Sequence, residues 1–151
     1  MLPRGPIERA HIILDSSVNH PSWRRRPVPS VKAGRAAMRG LGTMTRSARR
    51  AERTNAREMA FTAISDAVAD LFHLADMYCF SPDEMVMLHH RTLSVPDNPL
   101  PIGTPRTLVW LTFTLGNVLQ LAAAYDWAEE GVIDQARMHF DAELSERLSE
   151  Q

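Results

Sequence analysis

A single cysteine, Cys79, leaves this chain of 151 residues without an internal disulfide framework. That usage suits a reducing cytoplasm, where the protein is expected to reside, and nothing around the thiol has metal-ligand spacing. It reads as a small core residue. Seven glycines are scattered and none forms a phosphate-cradling loop. No serine or cysteine stands in a local motif that would activate it as a nucleophile. In the first thirty positions the only apolar run, Ile12 to Leu14, is far too short for a secretory core or a membrane span. No cofactor is expected, and the chain is read as a non-enzyme.

Positive charge is scarce in the second part of the chain. After Arg57 only four arginines face fifteen acids, whereas twelve arginines and one lysine face three acids up to that point. The overall formal charge of −1 therefore hides a basic N-terminal part and an acidic body. Residues 1–55 show no sustained helical or strand period, and Pro3, Pro6, Pro21, Pro27 and Pro29 interrupt them. Low apolar density and high charge do not offset the entropy of ordering, so this arm is expected to be disordered. Arg24, Arg25 and Arg26, beside Trp23, and the run Arg46, Arg49, Arg50, Arg53 and Arg57 are candidates for non-specific grip on nucleic-acid phosphates. The competing readings are an organellar transit peptide, a solvated tail, or sequence upstream of a start at Met38, Met44 or Met59.

What is present beyond residue 55 predicts an all-α domain, 56–151, of about four helices paired as two αα-hairpins in a small bundle. The first hairpin spans 56–95. Ala60, Ile64, Ala67, Val68, Leu71, Leu74, Ala75 and Tyr78 recur at helical spacing on the inward face of its first helix. Asn55 is placed to cap that helix, with Glu58 completing a box. Ser81, Pro82 and Glu84 predict a second start with N-cap, N1 and N3 residues in their favoured places. Met85, Leu88 and Thr92, or Val86, His89 and Leu93, supply its inward stripe. Pro96 ends it by restricting the residue before it.

A proline-rich linker at 96–104 leads to the second hairpin, 105–149. Thr104 and Pro105 are expected to start its first helix as N-cap and N1. The nineteen residues TLVWLTFTLGNVLQLAAAY, from Thr107 to Tyr125, carry no formal charge. Thr112, Thr114, Gly116, Asn117 and Gln120 interrupt that run, and no basic cluster flanks it, so a buried central helix is favoured over a membrane span. Asp126 and Glu129 suggest a box for the last helix, whose stripe is Val132, Ile133, Ala136, Phe140, Leu144 and Leu148. A shift of 47 residues superposes Leu74, Ala75 and Tyr78 on Leu121, Ala122 and Tyr125, and Phe80 on Trp127, as a degenerate repeat would.

AISDAVADLFHLAD, from Ala63 to Asp76, resembles the front of small helical proteins encoded on actinobacterial phages and plasmids. EEGVIDQARMHFDAE, from Glu129 to Glu143, is similar to the back of the same unit, while Leu88 to Ser94 departs from it. The resemblance implies a mobile-element accessory protein and no particular reaction or ligand.

Two constellations carry candidate chemistry. Asp66, Asp70, His73 and Asp76 share a helix face over three turns and would serve as metal ligands, against the reading of a solvated acidic face. His89 and His90 are adjacent, so their side chains leave the helix roughly 100° apart and are not expected to share a ligand. The first two helices do not suit a DNA-reading pair, because Asp83 and Glu84 would face phosphate. The function expected is therefore a protein-interaction or regulatory module with a protein partner, or self-association through the apolar faces of the last two helices. Nucleic-acid binding through the arm is the alternative, and metal-dependent catalysis or membrane association are lesser ones.

Overall fold

The structure, a computed structural model, describes residues 5–18, 30–39, 56–94, 100–101 and 103–149. All regular structure among these residues is helical. The helices are α1 (Pro6–Val18), α2 (Val31–Arg39), α3 (Ala56–Met77), α4 (Pro82–Ser94), α5 (Arg106–Ala124) and α6 (Glu129–Ser149). The all-α class and the four helices beyond residue 55 agree with the expectation. The disordered arm does not, since α1 and α2 fall within it.

Both extra helices are built by burial rather than by propensity. Pro6 opens α1, where its missing N–H costs nothing. Ala10, Ile13, Leu14 and Ser17 are buried against the domain at helical spacing. Ser30 caps α2, its Oγ accepting the Ala33 N–H at 3.1 Å. Ala33, Gly34, Ala37 and Met38 form the buried face of α2. α2 makes its main contacts with α5, and α1 packs on α3 and on α2. Helices of 13 and 9 residues are marginal alone in water, so their stability comes from this docking.

Asn117 of α5 joins the two. Its Oδ1 accepts the backbone N–H of Ser30 at 3.1 Å, and its Nδ2 donates to Ser17 Oγ at 2.8 Å. Gly34 lies against the same residue, so that a Cβ there would sit 2.2 Å from the Asn117 carbonyl oxygen.

The uncharged segment forms α5, and 67% of its most apolar window is buried within the protein although its length and composition would span a membrane. The helices within each expected hairpin touch little. α4 leans instead on α5, and α6 packs extensively on α3, so each pair closes over the first helix of the other. The apolar faces that the sequence left for self-association are thus largely covered within the chain. Val132, Ala136 and Phe140 of α6 are buried, while Leu148 at its end is 66% exposed.

The turn at 78–80 recurs at 125–127. Phe80 N donates to Ala75 O at 2.9 Å, and Trp127 N to Ala122 O at 3.1 Å. Cys79 and Asp126, at the same place in each turn, hold φ of 66° and 63°. Helices α4 and α6 begin 47 positions apart, as the shift requires. The box at Ser81 forms, with Glu84 N donating to Ser81 Oγ at 3.1 Å and Ser81 N to Glu84 Oε1 at 3.3 Å. The other two expected starts are corrected. Asp126 is the left-handed residue ending α5 and not a cap of α6. Pro105 occupies the N-cap of α5 without a side-chain bond, while Thr104 Oγ turns back to Pro101 O at 2.7 Å.

Cys79 is exposed and not a core residue, and Tyr78, expected inward, is 43% exposed. The helix ends before Tyr78, which removes both from its buried face. A left-handed cysteine is strained where glycine is not. Cys79→Gly is therefore expected to stabilise the protein by about 0.5–1 kcal/mol, raising Tm by roughly 2–4 °C. Thermal melts under reducing conditions check this, and an unchanged or lower Tm would contradict the strain.

Candidate functional site: a cleft between three helices

α3 presents Met59, Thr62, Ala63, Asp66, Ala67 and Asp70 along one face, at the spacing of successive turns. Arg9 of α1 and His139 and Glu143 of α6 stand over that face. With Glu58 they enclose a cleft of about 780 Å³. Its floor includes the small side chains of Ala63 and Ala67, and its walls are charged.

At the α1 side, Arg9 grips Asp70 through both carboxylate oxygens, Nε to Oδ2 and Nη2 to Oδ1, each at 2.9 Å. Asp70 is 2% exposed. Burial pushes its carboxyl up to about 6, against the opposing pull of the Arg9 hydrogen bond and charge. Asp66, one turn earlier, is also raised by partial burial, with His139 and Arg9 opposing. Its Oδ1 lies 4.0 Å from His139 Nε2.

His73 sits behind the α6 side. It is fully enclosed, packs against the Phe140 ring at 4.8 Å, and has Nε2 3.3 Å from Glu143 Oε2. Neither ring nitrogen completes a hydrogen bond. Burial lowers its basicity, with Glu143 pulling the other way.

These positions correct the sequence picture of the α3 face. Asp66 and Asp76 are exposed, but Asp70 and His73 are buried, because α1 and α6 cover what an isolated helix would leave to solvent. The four candidate metal ligands do not converge: Asp70 turns to Arg9 and His73 towards Glu143. Among the described residues no group of three or more His, Cys, Asp or Glu is arranged to hold a metal ion.

Of the nucleic-acid candidates, Arg24, Arg25, Arg26, Arg46, Arg49, Arg50 and Arg53 lie outside the described residues, as does the Asn55 cap. Arg57 is occupied. Its Nε donates to Tyr125 O at 3.1 Å and its Nη2 to Asp126 O at 2.9 Å, where the negative end of α5 favours a cation. Its guanidinium also stacks 3.8 Å from the Trp127 ring centroid, and Trp127 Nε1 returns a bond to Arg57 O at 2.6 Å.

A second polar cluster joins α4 to α6. His89 Nε2 and His90 Nε2 lie 2.8 and 3.0 Å from the same Glu129 oxygen. Hydrogen bonding to His89 chiefly holds the Glu129 carboxyl below its usual range. The two rings, not expected to share a ligand, do share this side-chain partner within the chain. Glu129 meets them between their diverging directions, with ring centroids 5.5 Å apart. Met85, Leu88 and Thr92, the first of the two expected stripes on α4, are buried, and His89 of the second is buried with them while Leu93 is 48% exposed.

The sequence offered Asp66, Asp70 and His73 as site residues but not Arg9, His139 or Glu143. The i, i+4 spacing of His139 and Glu143 was visible, although nothing local distinguished it from an ordinary polar helix face. No protein-family model, curated protein or solved structure matches the chain.

Proposed function

We propose that the protein is a non-catalytic binding module, a regulatory accessory protein of the cytoplasm, which recognises a partner protein through the α1–α3–α6 cleft. The observation that carries this reading is a cleft in which charged groups from three helices converge over a floor of small apolar side chains, the pattern of a recognition site. Its chemistry favours binding over reaction. The strongly perturbed carboxyl, Asp70, is locked by both oxygens to Arg9, and the hydroxyl in the wall, Thr62, donates to the Glu58 carbonyl within its own helix. Neither is poised to attack or to exchange a proton with a substrate. A role on a mobile element rests on the resemblance of residues 63–76 and 129–143 alone. The nucleic-acid alternative keeps only arginines outside the described residues.

Methyl NMR tests the reading. Titration with a panel of short basic, acidic and apolar peptides is expected to shift the methyls of Met59, Ala63 and Ala67 saturably for at least one class. Shifts confined to other surfaces, or none across the panel, would remove the cleft as the recognition site.

A further inference from the structure

The cleft has more negative charge than its arginine offsets. Glu58, Asp66, Asp70 and Glu143 line it with Arg9 and the imidazole of His139. The Arg9 fork is committed to Asp70 through two hydrogen bonds. Glu143 feels the Arg9 charge and has the His73 imidazole behind it, with Nε2 3.3 Å from its Oε2. That ring, 2% exposed and turned towards the wall of the cleft, completes no hydrogen bond with either nitrogen. Asp66 is met by His139 only at 4.0 Å. Two carboxylates on facing helices are therefore left with unfilled acceptor capacity beside the methyl floor of Ala63 and Ala67.

Such a surface suits a cationic head on an aliphatic stem: the stem lies over the floor while the head reaches the carboxylates. A guanidinium fits best, because its planar fork matches a carboxylate through two parallel bonds. The spacing along α3 adds a constraint. Glu58 and Asp66 are eight positions apart on a helix, or about 12 Å. In an extended peptide, residues i and i+4 are about 13 Å apart.

Resting on the reading of the cleft as a protein-recognition site, we infer that its occupant is an extended basic segment of a partner protein, with arginines four residues apart. One arginine meets Asp66 and Glu143, and the other meets Glu58.

Fluorescence anisotropy with two labelled peptides of equal charge tests this, one with arginines at i and i+4 and one with adjacent arginines, both in an alanine background. The spaced peptide is expected to bind more tightly, and Asp66→Asn with Glu143→Gln to weaken it at least about tenfold. The two side chains are 56% and 40% exposed, so the double variant is expected to fold, which circular dichroism verifies. The control is Asp134→Asn with Asp141→Asn, which removes the same charge from exposed positions of α6 outside the cleft. An equal loss in that control would overturn the inference, since general acidity would then explain binding. Equal affinity for the two peptides would also overturn it. Spermidine competing at concentrations comparable with the peptide would reassign the site to a free polyamine. If an acidic or apolar peptide shifts the cleft methyls instead, the recognition site survives and the basic occupant falls. If no peptide shifts them, both fall.

Discussion

Gly34→Ala is expected to destabilise the protein by about 2–4 kcal/mol, although alanine is the better helix former. The added Cβ would lie 2.2 Å from the Asn117 carbonyl oxygen, 2.9 Å from its carbonyl carbon and 3.1 Å from Leu121 Cβ. The first two are backbone atoms in the middle of α5, so relief requires moving α2 away from its main neighbour. That movement would stretch the bond from Ser30 N to Asn117 Oδ1, and the Asn117 amide also holds α1 through Ser17. The propensity gain of alanine, up to about 1 kcal/mol, does not offset such an overlap. Urea denaturation measures the loss. Limited proteolysis should show faster cleavage near α2 than in the wild type. A variant as stable as the wild type, or more stable, would mean that α2 does not dock as described.

Arg9 and Asp70 should respond asymmetrically to substitution. Arg9→Met leaves a carboxylate buried without its cation and is expected to cost about 3–5 kcal/mol near neutral pH. Asp70→Asn keeps the shape, removes the buried charge, and leaves a guanidinium that is 36% exposed and still partly hydrated, so about 1 kcal/mol or less is expected. The pH dependence follows from the direction of the Asp70 shift. Its folded value, about 6, stands above the unfolded 3.8, so the folded state binds the proton more tightly. The stability it contributes is fully present below about 3.8 and is lost as pH rises through about 6, a swing of roughly 3 kcal/mol. Without Arg9 the carboxyl rises further, so the deficit of Arg9→Met relative to wild type should shrink as the pH is lowered from 7.5 to 5. Asp70→Asn lacks this group and should lose the corresponding slope. Chemical denaturation of the three proteins at both pH values decides the matter. Equal costs for the two substitutions, or a deficit in Arg9→Met that does not change with pH, would contradict a buried ion pair held by Arg9.

Several elements were legible locally. Ser81 and Glu84 mark a helix start that needs no tertiary partner, because both halves of the box lie within four residues. The run from Thr107 to Tyr125 has no charge to keep it at a surface, and α5 is accordingly the helix the others surround. The inward stripe of α3 from Ala60 to Ala75 is buried as its period requires. The N-terminal helices were not legible in the same way. Their buried residues are few and include Ala33, Gly34 and Ala37, which carry almost no hydrophobic signal. Small residues are valuable there only because α5 comes close, and closeness is not a property of a local window.

The site follows the same division. Asp66, Asp70 and His73 stand out in the sequence as polar residues on one helix face, and by periodicity alone that face belongs to solvent. The tertiary structure lays α1 and α6 across it. That step turns Asp70 from a solvated acid into a buried partner of Arg9, and it encloses His73 behind Glu143. The sequence by itself determined where most helices form beyond residue 55, through short-range capping and the period of apolar side chains. Only the tertiary structure decided that two helices of the basic arm belong to the core and that a charged cleft lies between α1, α3 and α6. The physical reason is that burial depends on which surfaces meet, and Arg9 and Asp70 meet across 61 positions of chain.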